Sequence, residues 1–456
     1  MERTSTSPTL GTRAFRQPLS QTRGQEARKE GVLICDERES GDFRRGAEMQ
    51  GITWHQVREG FVAVRLTATV PGARWDWAHR TCGLVEVAMD GRYHQDIILV
   101  HGERSWTYER LLGLVQPGEH HISVRQRPDA PDLPAAEISD LRAVPLEPRD
   151  ATHEQALREA PVLYLRNEGD PWESLYSDTP LFVFYRTTAA GLEWQCVYSH
   201  EDEGTDTRGL LALWGRTTDI EWVLRLEKDG AWFHGSGHRT ERHSGYRVLG
   251  RYCLQVVGRH GMVASTPPTG RMRCLFVPRW EWDDHLPRET CMDVEPWSYR
   301  ISAEEVLRQC RVTPGRDARD PEPGDLRDYA FLQIIRQQVK DGPVVGMEVR
   351  VETTHGEVFS STHGNSALAC TRPTPFSTTV KLPTGTSPSR IEAVAISKPG
   401  RPPIRLQLHQ AFRLDRDYQP QPPFACGKEV LLRPQDAAVP LWEASHKLRS
   451  GTLAQR

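Results

Sequence analysis

Short runs of alternating apolar and polar residues, separated by turn signals, recur along most of the chain. In the N-terminal part they include residues 61–70 and 83–89, and Asp90-Gly91 has the composition of a tight turn between two such runs. Alternation with a period of two is typical of strands that bury one face. Several short strands at this spacing predict a β-sandwich or jelly roll over residues 50–148.

The same pattern predicts two further β-rich domains. One spans residues 160–312, and its expected strands are 181–185, 193–198, 210–214, 220–226 and 254–257. The other spans residues 327–418 and follows a Pro- and Gly-rich linker at 313–324. The chain contains neither a repeat of fixed period nor the α/β alternation of a parallel sheet. We therefore predict a mainly β protein of three consecutive sandwich-like or β-rich domains with few short helices.

Two segments have helical patterns, and both ends of the chain are polar. Residues 151–159 predict a short helix, and the capping-box pattern Ser302-Ala-Glu-Glu305 predicts the start of another. Residues 1–48 are polar and weakly patterned, and we expect them to be disordered. Residues 419–456 are Pro-rich and then polar, which predicts a loosely held tail.

Composition excludes several classes of function. A formal net charge of −3 gives no concentrated basic surface, so nucleic acid is not an expected partner. No apolar run reaches the ~18 residues that a membrane span requires, and the N-terminus lacks the apolar core of a secretory signal. The nine cysteines are scattered without a CxxC pair, which favours free thiols in a reducing compartment. We expect a cytoplasmic protein.

The middle domain is unusually rich in tryptophan and carboxylate. Eight of the 13 tryptophans lie between Trp172 and Trp297. Tryptophan offers a large apolar face with one donor, which suits sugar rings and other flat hydroxylated ligands. We therefore expect a small-molecule or glycan ligand, with a substrate-binding set of Trp214, Arg216, Trp280, Trp282 and Trp297.

Asp219 and Glu221 are the best candidates for catalysis. Two residues apart on a strand, they would share a face with their Cα atoms ~6.5–7 Å from each other. Glycosidases use a carboxyl pair ~5–9 Å apart, one as acid and the other as nucleophile or base. Arg225 is expected on the same face, so the alternative is a solvated outer face in which it offsets the two acids.

Other residues nearby could complete such a site. Asp293 is a third catalytic candidate in an aromatic and acidic segment, and His238 is a candidate proton carrier. With His234 and His243 it could instead form a zinc site. In the acidic loop 200–206, Asp202 and Asp206 could bind a hard cation such as Ca²⁺, although a hydrated hairpin loop would have the same composition.

Three functions fit these residues. The first is a carbohydrate-active hydrolase or lyase that uses paired carboxylates in the middle domain. The second is a non-catalytic glycan- or ligand-binding protein with a cation-binding acidic loop, and the third is a tailoring enzyme for a hydrophobic small molecule. The chain has no GxSxG, Walker, GxGxxG or HExxH motif, so serine hydrolases of the α/β type, nucleotide-driven enzymes and zincins are disfavoured.

Overall fold

The fold is mainly β, with several multi-stranded sheets and few short helices, as predicted. The structure is a computed structural model. It describes residues 48–77, 81–127, 134–165, 179–201, 206–264, 272–308, 318–320, 323–338, 344–396 and 402–444.

The first β-rich unit consists of two antiparallel sheets. One has the strand order β1-β6-β3-β4 and the other β5-β2-β7. Its strands are β1 (Glu48–Gln56), β2 (Gly60–Thr69), β3 (Gly83–Met89), β4 (Arg92–Leu99), β5 (Trp106–Val115), β6 (Gly118–Gln126) and β7 (Glu137–Leu146). Apolar residues from both sheets, such as Leu66 and Val87, are fully buried between them.

The middle unit is built on one ten-stranded mixed sheet. Its path runs β17-β8-β15-β16-β12-β11-β10-β9, with β13 paired to β12 and β14 paired to β15. The strands are β8 (Val162–Tyr164), β9 (Pro180–Thr187), β10 (Gly191–Tyr198), β11 (Asp219–Glu227), β12 (Gly230–Gly235), β13 (Arg239–Arg242), β14 (Arg247–Val248), β15 (Arg251–Val256), β16 (Met262–Val263) and β17 (Arg273–Cys274). The pairs β8–β15 and β12–β16 are parallel.

The third unit is again a pair of antiparallel four-stranded sheets, ordered β21-β18-β23-β24 and β20-β19-β22-β25. Its strands are β18 (Tyr329–Gln338), β19 (Gly346–Thr353), β20 (Val358–Ser360), β21 (Phe376–Lys381), β22 (Pro388–Ile396), β23 (Ile404–Phe412), β24 (Val430–Leu432) and β25 (Ala438–Glu443). The last two strands lie in the segment expected to be a loose tail. Apolar residues such as Leu432 and Leu441, which are buried in the core of this unit, attach that segment to the two sheets.

Four α-helices lie in the part of the chain that the structure describes: α1 (Ala151–Glu159), α2 (Thr207–Trp214), α3 (Cys291–Val294) and α4 (Trp297–Arg308). Helix α1 matches its prediction and is capped by the Asp150 side chain. Helix α2 occupies the segment predicted as the strand 210–214, so that prediction was wrong. Asp206 caps its first turn, and Gly215 ends it in a left-handed conformation. Helix α4 begins more than a turn before Ser302, directly after Pro296.

The three units share their apolar interiors to different degrees. One core cluster contains residues of the first unit, such as Leu66, together with middle-unit residues such as Trp194 and third-unit residues such as Phe412. A second cluster lies between the two sheets of the third unit. The first cluster therefore continues from the first unit through the middle unit into the third. None of the helices in the described residues is both long enough and apolar enough to cross a membrane.

Candidate active site

A β-bulge in strand β11 decides which side chains accompany Asp219. In the pairing with β10, Gln195 lies opposite Trp222 and Trp194 opposite Leu224, so Val223 is the extra residue. Cross-strand partners share a face of a sheet. Asp219 and Glu221 therefore share the face of their partners Tyr198 and Cys196, as predicted.

Arg225 lies on the other face, which corrects the prediction that it offsets Asp219 and Glu221. There it binds the fully buried carboxylate of Glu193, with a 2.6 Å contact from Nη2 to Oε2. Its guanidinium also lies over the Trp222 ring, 4.6 Å from the ring centroid. The sequence alternation was interrupted by the bulge, so every position after Val223 changed face.

Asp219 belongs to a cluster with Glu201 and His260, in which Asp219 and His260 are buried and Glu201 is partly exposed. The side chain of Asp219 is nearly inaccessible, and its Oδ2 lies 2.6 Å from Nδ1 of His260. Because a carboxylate only accepts, the proton of this hydrogen bond is on Nδ1 of the imidazole. Carboxyl oxygens of Glu201 and Asp219 lie within 4.8 Å of each other. Two carboxyl groups this close disfavour a double negative charge, so one of them keeps its proton.

Each of these side chains is placed by local backbone structure. Glu201 follows β10, and its amide donates to the carbonyl of Thr217, two residues before Asp219. His260 lies in a tight loop closed by a 2.8 Å hydrogen bond from the amide of Val257 to the carbonyl of Gly261. The imidazole stacks on the buried ring of Tyr198 with the centroids 4.2 Å apart and the planes within 11°. Its backbone φ of +48° is an uncommon conformation for a residue with a side chain, and such strain is frequent at functional sites.

The environment moves the two carboxyl pKa values in opposite directions. Burial, and next the negative charge of Asp219, raise the pKa of Glu201 from 4.5 to about 8. Burial also acts against ionisation of Asp219. The hydrogen bond and charge of His260 and the guanidinium of Arg216 outweigh it, and they hold the pKa of Asp219 well below its usual range. At neutral pH the shared proton therefore belongs to Glu201, and Asp219 is the anion.

Arg216, a predicted substrate-binding residue, is instead buried behind this cluster. Its Nη1 lies 3.8 Å from Oδ1 of Asp219, and its Nε donates to Glu289 at 3.4 Å. Trp214 packs against two guanidinium groups, with its ring centroid 5.4 Å from that of Arg216 and 4.0 Å from that of Arg372. In this structure both predicted ligand-binding residues support the protein's own framework.

Glu221 forms a second carboxylate–imidazole contact on the same strand. Its Oε2 lies 3.1 Å from Nδ1 of His234, whose Nε2 is 3.2 Å from Nδ1 of His238. His243 is not part of this chain, because its ring contacts the carbonyl of Cys253 and the amide of Gly245. The three histidines considered as a zinc site therefore do not converge.

Asp293 lies in a cage of neutral donors between the middle and third units. Its two oxygens accept from the hydroxyl of Tyr299 at 2.8 Å and from the side-chain amides of Gln333 and Gln410 at 2.8 and 2.9 Å. Burial raises the pKa of Asp293 to about 6. The structure thus places this residue with β18 and β23, away from the Asp219 cluster it was expected to complete.

The predicted tryptophan platform lies on the opposite face of the sheet from Asp219. Phe182 pairs with Val197, which pairs with Ile220, so Phe182 is on the Ile220 face. Trp280 and Trp297 pack on Phe182 with centroids 5.5 and 5.8 Å away. Trp282 continues this layer beneath the guanidinium of Arg186. The acidic pair and the aromatic layer are therefore separate features.

Two groups of side chains in the described residues bring three possible metal ligands close together. One ligand atom each from Glu201, Asp219 and His260 lies within 4.8 Å of the others, and Asp283, Asp284 and His285 form a similar but exposed group. The nearby guanidinium of Arg216 acts against a cation in the buried group. Asp206, predicted as a Ca²⁺ ligand, caps α2 by accepting from the amide of Gly209 at 2.6 Å. Asp202 lies outside the described residues.

Glu201 and His260 were not among the predicted site residues. Glu201 belongs to the acidic loop that had been interpreted through Asp202 and Asp206, so a signal was present but was assigned to cation binding. His260 lies 41 residues from Asp219, on a loop without a motif, and only the path of the sheet brings it there.

Comparisons with known proteins give no family for this chain. No family model and no curated protein matches it. Among solved structures it has 10% identity to the M60 catalytic domain with two CBM51 domains of ZmpB from Clostridium perfringens. That match covers 77% of this chain and 32% of the other at a TM-score of 0.15. The two C2 domains of extended synaptotagmin 2 match at 8% identity over 90% and 89% of the two chains, with a TM-score of 0.11. TM-scores this low establish no common fold.

Proposed function

We propose that the protein is a carbohydrate-active hydrolase or lyase whose acid–base pair is Glu201 and Asp219. The observation that carries the proposal is a pair of adjacent carboxyl groups, with oxygens within 4.8 Å of each other, whose pKa values are displaced in opposite directions. Carboxyl groups whose environments separate their pKa values in this way are how enzymes obtain an acid and a base at neutral pH.

Each residue of the cluster has a role in this proposal. Protonated Glu201 donates a proton to the oxygen of the leaving group, and anionic Asp219 acts as the base that accepts a proton. The two carboxyl groups are closer than the ~5–9 Å of a glycosidase with a separate nucleophile, so no nucleophile is assigned. His260 is a positioning residue, because its Nδ1–H hydrogen bond orients the Asp219 carboxylate and stabilises its charge. Arg216 adds a second positive group next to the same carboxylate.

Glu221 and His238 are not part of the acid–base pair in this proposal. Glu221 lies two residues from Asp219 on the same face and contacts His234, whose ring contacts His238. Asp293, in its amide cage, has no role in the proposed reaction.

The test measures turnover by the purified full-length chain. Substrates are a panel of p-nitrophenyl hexosides and hexuronides together with soluble polysaccharides, followed by release of nitrophenol or reducing ends. A lyase is detected by the ultraviolet absorbance of the new double bond. We expect Glu201→Gln and Asp219→Asn each to lower kcat about 100-fold or more. Glu227→Gln, at the far end of the same strand, should keep wild-type activity.

Two results would overturn the proposal. If no glycoside or polysaccharide were cleaved at any pH between 4 and 9, the assigned substrate class would be wrong. If cleavage were found and Glu201→Gln kept full activity, the reaction centre would lie elsewhere.

A further inference from the structure

Tyr198 packs against the cluster of Glu201, Asp219 and His260 from the end of strand β10. It lies opposite Asp219 on strand β11, so the two side chains share a face of the middle sheet. The tyrosine ring is inaccessible to solvent. It is nearly parallel to the imidazole of His260, with the centroids 4.2 Å apart and the planes within 11°. Tyr198 therefore contacts the residue that donates a hydrogen bond to Asp219.

The stacked ring restricts the planes in which the His260 imidazole can lie. The hydrogen bond from Val257 to Gly261 closes the loop and holds its backbone, but it leaves the side-chain torsions of His260 undetermined. Tilting the imidazole out of its plane would drive it into the ring of Tyr198. A half-turn about the Cβ–Cγ bond keeps the plane, but it would replace Nδ1 by the carbon Cδ2, which cannot donate to Oδ2 of Asp219 at 2.6 Å.

The orientation of this imidazole decides which carboxyl group of the cluster holds the proton. Burial alone would raise the pKa of Asp219, but the hydrogen bond and then the charge of His260 come first among the interactions that hold it well below its usual range. Burial, and next the negative charge of Asp219, raise the pKa of Glu201 to about 8. Without a donor directed at Asp219, the two carboxyl groups would differ less in their affinity for the proton.

The ring of Tyr198, and not its hydroxyl group, makes the contact that matters here. The hydroxyl is buried and forms no hydrogen bond of normal geometry within the described residues. A phenol that served as a proton donor or acceptor would be expected to have a partner, because an unmatched buried hydroxyl is unfavourable. Phenylalanine at this position would present the same flat face to His260.

We propose that Tyr198 is a positioning residue whose ring, through His260, keeps Asp219 ionised and the proton on Glu201. In this role Tyr198 neither gives nor takes a proton. Its effect on turnover rests on the proposed function, whereas its effect on the hydrogen bond between His260 and Asp219 does not require a substrate.

Proton NMR of the full-length chain tests the assignment without a substrate. The Nδ1 proton of His260 should give a resonance far downfield, because its hydrogen bond to Asp219 is short and charge-assisted. Its loss in His260→Asn identifies it, and asparagine tolerates the positive φ of this position. Tyr198→Phe should keep the resonance. Tyr198→Leu should lose it, as should Tyr198→Met, a flexible filler of the same space that is read if the leucine variant does not fold.

Tyr185→Leu is the matched control. Tyr185 lies on the neighbouring strand β9, is 1% accessible and is parallel to a different imidazole, that of His153, with the centroids 6.1 Å apart. Its replacement removes an equally buried tyrosine and should leave the downfield resonance in place. In the turnover assay, Tyr198→Leu should lower kcat about tenfold or more relative to Tyr185→Leu at similar KM, and Tyr198→Phe should recover most of that loss.

Each result supports or contradicts the assignment. A wild-type spectrum without the resonance would contradict it, as would persistence of the resonance in both Tyr198→Leu and Tyr198→Met. Loss in Tyr198→Phe would assign the effect to the hydroxyl, and loss in Tyr185→Leu would make it a general consequence of altering the core. If the resonance behaved as expected and no glycoside were cleaved, the proposed function would fail while the role of Tyr198 toward Asp219 stood.

Discussion

Replacement of Glu201 by glutamine is expected to stabilise the protein at alkaline pH, although it removes a carboxyl group that lies next to Asp219. Glutamine resembles the protonated carboxyl in shape and has no charge. Wild-type Glu201 must lose its proton as the pH passes about 8, next to the anion of Asp219. The substituted protein avoids that unfavourable ionisation.

The direction and magnitude of this change in stability follow from the difference between the pKa of Glu201 in the folded and in the unfolded protein. The folded protein keeps the Glu201 proton up to about pH 8, whereas the unfolded chain releases it near 4.5. The stability that this protonated group contributes is complete below pH 4.5, decreases between pH 4.5 and 8, and is absent above. At ~1.4 kcal/mol per pH unit the full change would be about 5 kcal/mol. Because Glu201 is partly exposed and shares its proton with Asp219, we expect about 2 kcal/mol.

Denaturant unfolding of both proteins at pH 5 and pH 8 measures this effect. The free energy of unfolding of Glu201→Gln relative to wild type should rise by about 2 kcal/mol between the two pH values. Glu193→Gln is the matched control. Although burial disfavours its ionisation, hydrogen bonds and charges from Arg186 and Arg225 keep the pKa of Glu193 below its usual range. Its loss should therefore destabilise the protein at pH 8, by about 3 kcal/mol.

One result would refute this reasoning. If Glu201→Gln lost stability at pH 8 as Glu193→Gln is expected to, Glu201 would be an ordinary ionised partner. Its proposed role as the acid of the site would then fail as well.

Two further predictions concern the framework of the site. Gly215→Ala should lower the free energy of unfolding by about 2 kcal/mol or more, because a Cβ at φ +64° would lie 2.8 Å from the backbone of Thr378. The control Gly237→Ala also has a positive φ but open space around it, so it should cost only about 1 kcal/mol. Equal shifts of the two variants in thermal unfolding would contradict the packing argument. Burial raises the pKa of Asp293 from 3.8 to about 6. The free energy of unfolding of wild type should therefore fall by about 2 kcal/mol relative to Asp293→Asn as the pH rises from 4 to 6. A difference between the two proteins in denaturant unfolding that did not change with pH would contradict this prediction.

The fold class could be predicted from the sequence because the alternation of apolar and polar residues is a local property. The pattern at 61–70, for example, corresponds to β2, and the short helix at 151–159 has its own capping residue, Asp150. The apolar run 210–214 was misassigned because five residues fit either a buried strand or a helix. Its flanks decided the outcome, since Asp206 caps the helix and Gly215 ends it.

The candidate site could be predicted from the sequence only in part. Asp219 and Glu221 do share a face, as the strand period predicts, but the bulge at Val223 that removes Arg225 from that face has no sequence signal. The partners of Asp219 were harder to find. His260 reaches it through the order of strands in the sheet, and Glu201 reaches it through a backbone hydrogen bond to Thr217. Contacts of this range depend on tertiary structure, which a single sequence does not reveal.

Helix α2 and strand β11 are joined only by Gly215, Arg216, Thr217 and Thr218, and the last carbonyls of the helix are bound by the third unit. Thr379 donates to Leu211, Thr378 to Ala212 and Arg372 to Leu213. The carboxylate of Asp219 therefore depends for its placement on a unit that contributes no residue to the acid–base cluster. In evolutionary terms, recombination could not exchange the C-terminal sandwich for another module without also supplying these three donors. The middle and C-terminal units should be inherited together.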